Sequence, residues 1–348
     1  MPYRITTNGL FRSYGTAMRR SQKKVYNTLD KVQTGRTFSS FAEDPASAAK
    51  AFRLRRDYWR TDDYLETSNY LMSKFQVAYT AAGVIVDGTE DIPSLDGLAS
   101  SLAGISDTAA SGRRALGNDL IATADSMVMT MNSRYNEEYV FAGTDGLNAP
   151  FTWDGDTLLY RGFDVSAEPD SEGYAHLSRM AGETAYVDIG LGLQEDVNGN
   201  IIENSAFNSV ISGLTFLGYS TDEDGVSKNI AVIMKELGNI YASADPDSGE
   251  YANAGDAERA QLLVDKLRDA INHVQEQHVK LSSDSTYLQT NKKVLENSQD
   301  MLAEQIDDLE QTNGALAITQ FLWARYSYQA ALQAGNQLLS QSLLDYMR

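Results

Sequence analysis

The three histidines, His176, His273 and His278, are the side chains best suited to acid–base or metal chemistry, and no cysteine is present to join them. His273 and His278 stand five positions apart. On a helix that spacing turns them about 140° away from each other, so they do not form a two-ligand face. Without cysteine, disulfides, thiolate metal ligation and thiol nucleophiles are excluded. Carboxylates are abundant: 48 Asp and Glu against 29 Lys and Arg leave a net charge of −19. Asp196-Val197-Asn198-Gly199-Asn200 has the alternation of a calcium loop, but its sixth position is Ile201 rather than glycine and its twelfth is Phe207 rather than glutamate. It reads as a solvated turn, as does Asp245-Pro246-Asp247-Ser248-Gly249-Glu250. Gly190-Leu191-Gly192 lacks the third glycine of a dinucleotide loop, and no phosphate-binding loop sequence occurs. These patterns predict no catalytic residue, no cofactor and no metal; the chain reads as a non-enzyme.

A strongly acidic chain is repelled by nucleic acid and by anionic membranes, so neither is an expected partner. The exception in sign is Arg19-Arg20 with Lys23-Lys24. This run could grip nucleic acid, but it reads better as the polar face of an amphipathic helix, because the nearby aromatics lie on the apolar seam. No stretch reaches the roughly 18 apolar residues of a membrane span, and the first residues lack the apolar core of a secretory signal. Residues 1–60 carry 13 basic and 4 acidic side chains, residues 301–348 carry 2 and 5, and residues 144–255 carry 4 and 19. The two ends are complementary in charge, and the middle is an acidic insert expected to face solvent.

What must position these features is helical. Steps of seven from Leu267 through Val274, Leu281, Leu288, Leu295, Leu302, Leu309, Leu316, Trp323 and Ala330 to Leu344 meet one polar residue, Gln337. A sustained seven-residue repeat is a helix seam facing another helix. A second stripe, Phe321, Ala324, Tyr328, Ala331, Gly335 and Leu338, joins it near the end, with small residues that permit close approach. Phe11, Tyr14, Met18, Val25 and Val32, with Leu29 beside them, repeat the pattern at the start. Thr34-Gly35 stops that helix, and Asp44-Pro45 opens the next as cap and first-turn proline. A further helix is expected from Arg113 to about Tyr139. Phe151–Tyr160 around Asp154-Gly155 reads as a hairpin, and Ile230–Tyr241 as a helix within the insert. The expected fold is mainly α with a β-rich insert. Residues 1–42 with 302–348 form a terminal coiled coil, 43–143 with 256–301 a helical bundle, and 144–255 the outer insert.

Four segments together resemble the flagellin family. They are Arg4–Asn8; Thr34-Gly35-Arg36 followed by Ala42–Ala49 and Leu54-Arg55; Tyr139–Thr144 with Pro150-Phe151, Gly155 and Tyr160-Arg161-Gly162; and Ala330–Gly335 with Ser342–Tyr346. The Phe-Ala-Gly-Thr segment and the Leu-Leu-Asp-Tyr ending are similar to the hook-associated members rather than to the filament subunit. Pro2-Tyr3 is inserted near the start, and Phe38 stands where the family usually has isoleucine.

That resemblance implies an extracellular structural subunit of the bacterial flagellum at the hook–filament junction. Its partners would be other copies of itself, a neighbouring hook-associated protein, flagellin and a flagellar export chaperone. Export would need no cleaved signal peptide. The expected assembly interface comprises Phe11, Tyr14, Met18, Val25, Leu29, Val32, Leu309, Leu316, Phe321, Trp323, Tyr328, Leu338, Leu343 and Leu344, with the break between domains at Gly35, Asp44 and Pro45. The alternatives are a filament flagellin and a cytoplasmic coiled-coil binding module.

Overall fold

The structure is a computed structural model. It describes residues 7–346 apart from 91, 105–109, 203, 204, 246, 247 and 249; side chains at 7, 8, 10, 11, 103, 104, 110, 111 and 338–346 lie outside the description. Four helices come first: α1 (Thr7–Thr34), α2 (Pro45–Asp87), α3 (Leu95–Gly104) and α4 (Ala110–Met131). Short strands follow: β1 (Arg134–Tyr135), β2 (Glu138–Tyr139), β3 (Phe151–Asp154), β4 (Thr157–Tyr160) and β5 (Phe163–Asp164). The rest of the insert holds α5 (Glu172–Ala181), β6 (Tyr186–Val187), β7 (Phe207–Asn208), α6 (Gly213–Leu217) and α7 (Ile230–Ala242). The chain closes with α8 (Asp256–Glu310) and α9 (Gly314–Tyr346). The fold is thus mainly α with small β-sheets in the middle.

Two compact units share these elements: residues 1–63 with 296–348, and residues 64–295. The boundary falls inside α2 and α8 rather than in a loop. Local signals set the ends of the helices. Gly35 takes φ +68° and its amide donates to the Lys31 carbonyl at 3.0 Å, the left-handed stop that glycine allows. Asp44 caps α2 by accepting from the Ser47 amide at 3.1 Å and its hydroxyl at 2.7 Å, with Pro45 at the first position.

In the larger unit, the heptad residues Leu267, Val274, Leu281, Leu288 and Leu295 of α8 are buried. Leu116, Leu120, Met127 and Met131 of α4 face the same core. The helices α4 and α7 cross where Gly117 meets Gly238. A Cβ on Gly117 would lie 2.6 Å from the Ala242 nitrogen, and one on Gly238 would lie 2.7 Å from Ile121 Cγ1. Only two glycines let these backbones approach so closely. The three histidines also serve packing. His278 stacks on Tyr79 with centroids 4.8 Å apart, His176 stacks on Phe163 at 4.5 Å, and His273 Nε2 lies 2.8 Å from the Thr215 carbonyl.

The expected hairpin forms: β3 and β4 pair antiparallel from Phe151↔Tyr160 to Asp154↔Thr157, and β5 extends the sheet. The helix expected to run to about Tyr139 instead ends at Met131. Asn132 turns the chain toward the insert, its side chain donating to the Phe151 carbonyl at 2.9 Å and accepting from the Phe151 amide at 3.0 Å. The hairpin β1–β2 follows, its turn held by Asn136 and Glu137 at φ 45° and 69°. Two successive left-handed residues are what a tight hairpin demands, and the Asn-Glu pair does not advertise it. Helix α3 and the short helices α5 and α6 also had no counterpart among the expected elements.

Candidate assembly interface

Helices α1 and α9 pack along their length. The α9 seam is made of small residues: Ala317 and Ala324 are buried, Ala331 is half-buried and Gly335 is buried. On α1 they meet Tyr14, Met18, Val25, Leu29 and Val32, all half-buried, and the buried Thr28. The Tyr14 hydroxyl donates to the Ala331 carbonyl at 2.9 Å. A Cβ on Gly335 would overlap the Tyr14 ring.

Both chain ends break at the same level. The Thr37 amide donates to the Glu310 carbonyl at 2.7 Å, and the Thr312 amide donates to the Gly35 carbonyl at 2.8 Å, making an isolated antiparallel bridge at Arg36 and Gln311. Asn313 then caps α9, its side-chain oxygen accepting from the amides of Ala315 at 3.1 Å and Leu316 at 3.2 Å. Arg55 of α2 and Glu310 of α8 pair nearby at 2.5 Å.

This break shifts the register. The heptad that runs through Leu295 continues past residue 313 one position later, at Ala317 and Ala324. Leu316 and Trp323, which the unbroken count placed on the seam, are 56% and 70% exposed. The second stripe supplies the seam instead, with Phe321 and Tyr328 half-buried at its edge; Leu309 is half-buried on α8. Outward-facing Leu316, Ile318, Leu322, Trp323, Tyr326 and Leu332 leave α9 with a broad apolar surface outside its contact with α1. The side chains of Phe11, Leu338, Leu343 and Leu344 lie outside the described residues.

The Tyr139–Thr144 and Tyr160–Gly162 segments meet at one polar cluster. Glu183 accepts from the Thr144 amide at 2.9 Å and hydroxyl at 2.8 Å, and pairs with the Arg161 guanidinium at 2.8 Å. Gly143 sits at φ +73°, where a Cβ would be 2.6 Å from Glu183 Oε2. The Tyr160 hydroxyl donates to the Phe141 carbonyl at 3.1 Å, and burial pushes its phenol up to about 12. Glu183 itself carries no sequence signal. It was missed because its partners are 22 and 39 positions away.

Residues 5–145 match the bacterial flagellin N-terminal helical region. Over this segment the chain is similar to the flagellin family. Among solved structures, it is similar in fold to a putative flagellar hook-associated protein of Vibrio parahaemolyticus, with TM-score 0.54 and 12% identity over 77% of this chain and 100% of that one. FlgL of Bacillus cereus aligns with TM-score 0.42 and 13% identity over 73% and 99% of the two chains. FlgL of Xanthomonas campestris aligns with TM-score 0.37 and 14% identity over 72% and 98%. No curated protein sequence matches the chain. Among the described residues no three His, Asp or Glu cluster as a metal site. No described helix is long and apolar enough to cross a membrane.

Proposed function

We propose that this flagellin-like chain is a structural subunit of the bacterial flagellum that joins hook to filament by polymerising through its paired ends. The observation that carries this reading is the apolar face of α9. Among the described residues, pairing with α1 covers the seam of Ala317, Ala324, Ala331 and Gly335, while Trp323 remains 70% and Leu316 56% exposed. A surface of that kind in water is a contact waiting for a partner. Tyr14, Met18, Val25, Leu29 and Val32 are half-covered within the chain, which fits further burial between subunits. In this reading Phe11, Leu309, Phe321, Tyr328, Leu338, Leu343 and Leu344 complete the same interface. Gly35, Asp44 and Pro45 mark the passage from the terminal pair to the inner helices, and the acidic insert faces outward.

The partners are other copies of the chain, a neighbouring hook-associated protein and flagellin, met outside the cell after export through the flagellar apparatus under a dedicated chaperone. Similarity to hook-associated proteins in fold, and the Phe141-Ala142-Gly143-Thr144 segment, favour the junction over the filament. Immunogold labelling of flagellated cells tests it. A single spot at the distal end of the hook is expected; staining along the whole filament assigns the chain to the filament instead.

A further inference from the structure

Two charged strips of opposite sign in the smaller unit are left without ion pairs among the described residues. The ends are complementary in sign, yet α9, the helix that pairs with α1, carries only Arg325 and Asp345 as charged residues. Of the acidic side chains counted with the C-terminal end, Glu304, Asp307 and Asp308 instead sit on the last turns of α8, next to Asp300, and all four are exposed. At 3.6 residues per turn, Asp300, Glu304 and Asp307 share a sector of about 60°, opposite the Leu295–Leu302–Leu309 seam. On α1, Arg12, Arg19 and Lys23 share a sector of about 40° opposite Tyr14, Val25 and Val32, with Arg20 and Lys24 about 80° and 120° round on one side of it. All five basic residues are exposed.

Among the described residues, neither strip makes an ion pair within the chain; the adjacent Glu310 differs, being paired with Arg55. The strips match in length. Arg12 to Lys23 spans about 17 Å of helix and Asp300 to Asp308 about 12 Å, within the reach of long basic side chains.

We propose that the basic strip of α1 docks on the acidic strip of α8 in a second copy of the chain. This deepens the reading of the protein as a self-assembling subunit and rests on it. Each copy offers one strip of each sign, so a contact that uses one strip from each copy is head-to-tail and leaves an unused strip at either end. Such contacts propagate into rings or tubes rather than closing as dimers. Charge complementarity sets the register of that contact, while the apolar face of α9 supplies its burial.

Charge reversal on the full-length chain tests this. Arg19→Glu with Lys23→Glu, and separately Asp300→Lys with Glu304→Lys, each set like charges against each other. Each pair is expected to raise the concentration needed for assembly, read by sedimentation in about 50 mM NaCl, by about tenfold or more. The chain carrying all four substitutions restores opposite signs and is expected to recover to within about threefold of wild type; a mixture of the two double variants should co-assemble. Melting curves matching wild type confirm that each variant folds, and Arg19→Gln with Lys23→Gln replaces any that does not. A quadruple variant no better than either double variant overturns the strip contact. So do double variants that assemble like wild type, which leaves the assembly reading intact. Wild-type chains that never assemble overturn both. Loss of binding to a single-stranded oligonucleotide on Arg19→Glu with Lys23→Glu, with assembly unchanged, assigns the basic strip to nucleic acid and also overturns the contact.

Discussion

The Tyr14 hydroxyl donates to the Ala331 carbonyl at 2.9 Å across 317 positions of sequence, and its ring occupies the space a side chain at Gly335 would need. The first and last helices are therefore fitted to each other by shape as well as by apolarity. Gly335→Val is expected to wedge them apart, at a cost of about 1–3 kcal/mol to the terminal pair. Tyr14→Phe removes one hydrogen bond to a carbonyl and should cost about 1 kcal/mol or less. Hydrogen exchange of α1 amides distinguishes the two: protection falls sharply in the first variant and slightly in the second.

The register shift at residues 311–313 separates two kinds of α9 substitution. Leu316→Asp with Trp323→Asp alters exposed positions, so the monomer should melt within about 0.5 kcal/mol of wild type while assembly is lost. Ala324→Asp puts a charge into the buried seam and should free α1 from α9 in the monomer itself. Circular dichroism on the monomer, paired with sedimentation, reads both effects. Equal monomer damage from both would show that Leu316 and Trp323 lie on the intrachain seam after all.

Glu183 links stability to pH. Burial pushes its carboxyl up, but the Thr144 amide and hydroxyl and the Arg161 guanidinium together hold it below the ordinary 4.5. A depressed folded value means that the unfolded chain takes up the proton first. The contribution is thus complete above the unfolded value and is lost as pH falls through the folded one. Between about pH 6 and about pH 3, wild type should lose more melting temperature than Glu183→Gln. At neutral pH that variant should be less stable by about 1–3 kcal/mol, because the partly buried Arg161 keeps only its longer pairing with Asp145 at 4.0 Å. Parallel pH profiles for the two chains would remove Glu183 from the account.

Gly238→Leu should be among the most damaging single changes in the larger unit. The added side chain meets Ile121 and the Gly117 carbonyl where two helix backbones touch, and overpacking of this kind costs about 1–3 kcal/mol or more. Gly199→Leu serves as the control for steric crowding, since nothing lies within 4 Å of its Cβ position, although its φ of +82° adds local strain. The melting temperature of the first is expected to fall well below that of the second.

Much of this architecture could be read from residue order alone, because its signals are local. Gly35 as a helix stop, Asp44-Pro45 as a helix start, the heptad of α8 and the Asp154-Gly155 hairpin each declare themselves within a few residues. The phase of α9 did not. Gln311-Thr312-Asn313 breaks the helix by pairing with residues 35–37, a partner nearly 300 positions away, and a repeat counted straight through it lands one residue off. Separation in sequence, though shorter, also hid the contacts of Glu183 and of Gly117 with Gly238. The family-like segment around Gly143 was visible as a motif, but its reason, a carboxylate lodged where a Cβ would be, exists only once the chain has folded.

The glycine crossing of α4 and α7 has a practical consequence for anyone using such chains as scaffolds. Because α7 comes from the acidic middle and is seated directly on α4, residues 144–255 cannot be exchanged as a cassette; removing them would strip Gly117 and Ile121 of their cover. Foreign peptides are better grafted into the Asp196–Asn200 turn. There the Asp196 carboxylate holds its own loop through the Asn198 and Asn200 amides, and residues 196–200 are exposed.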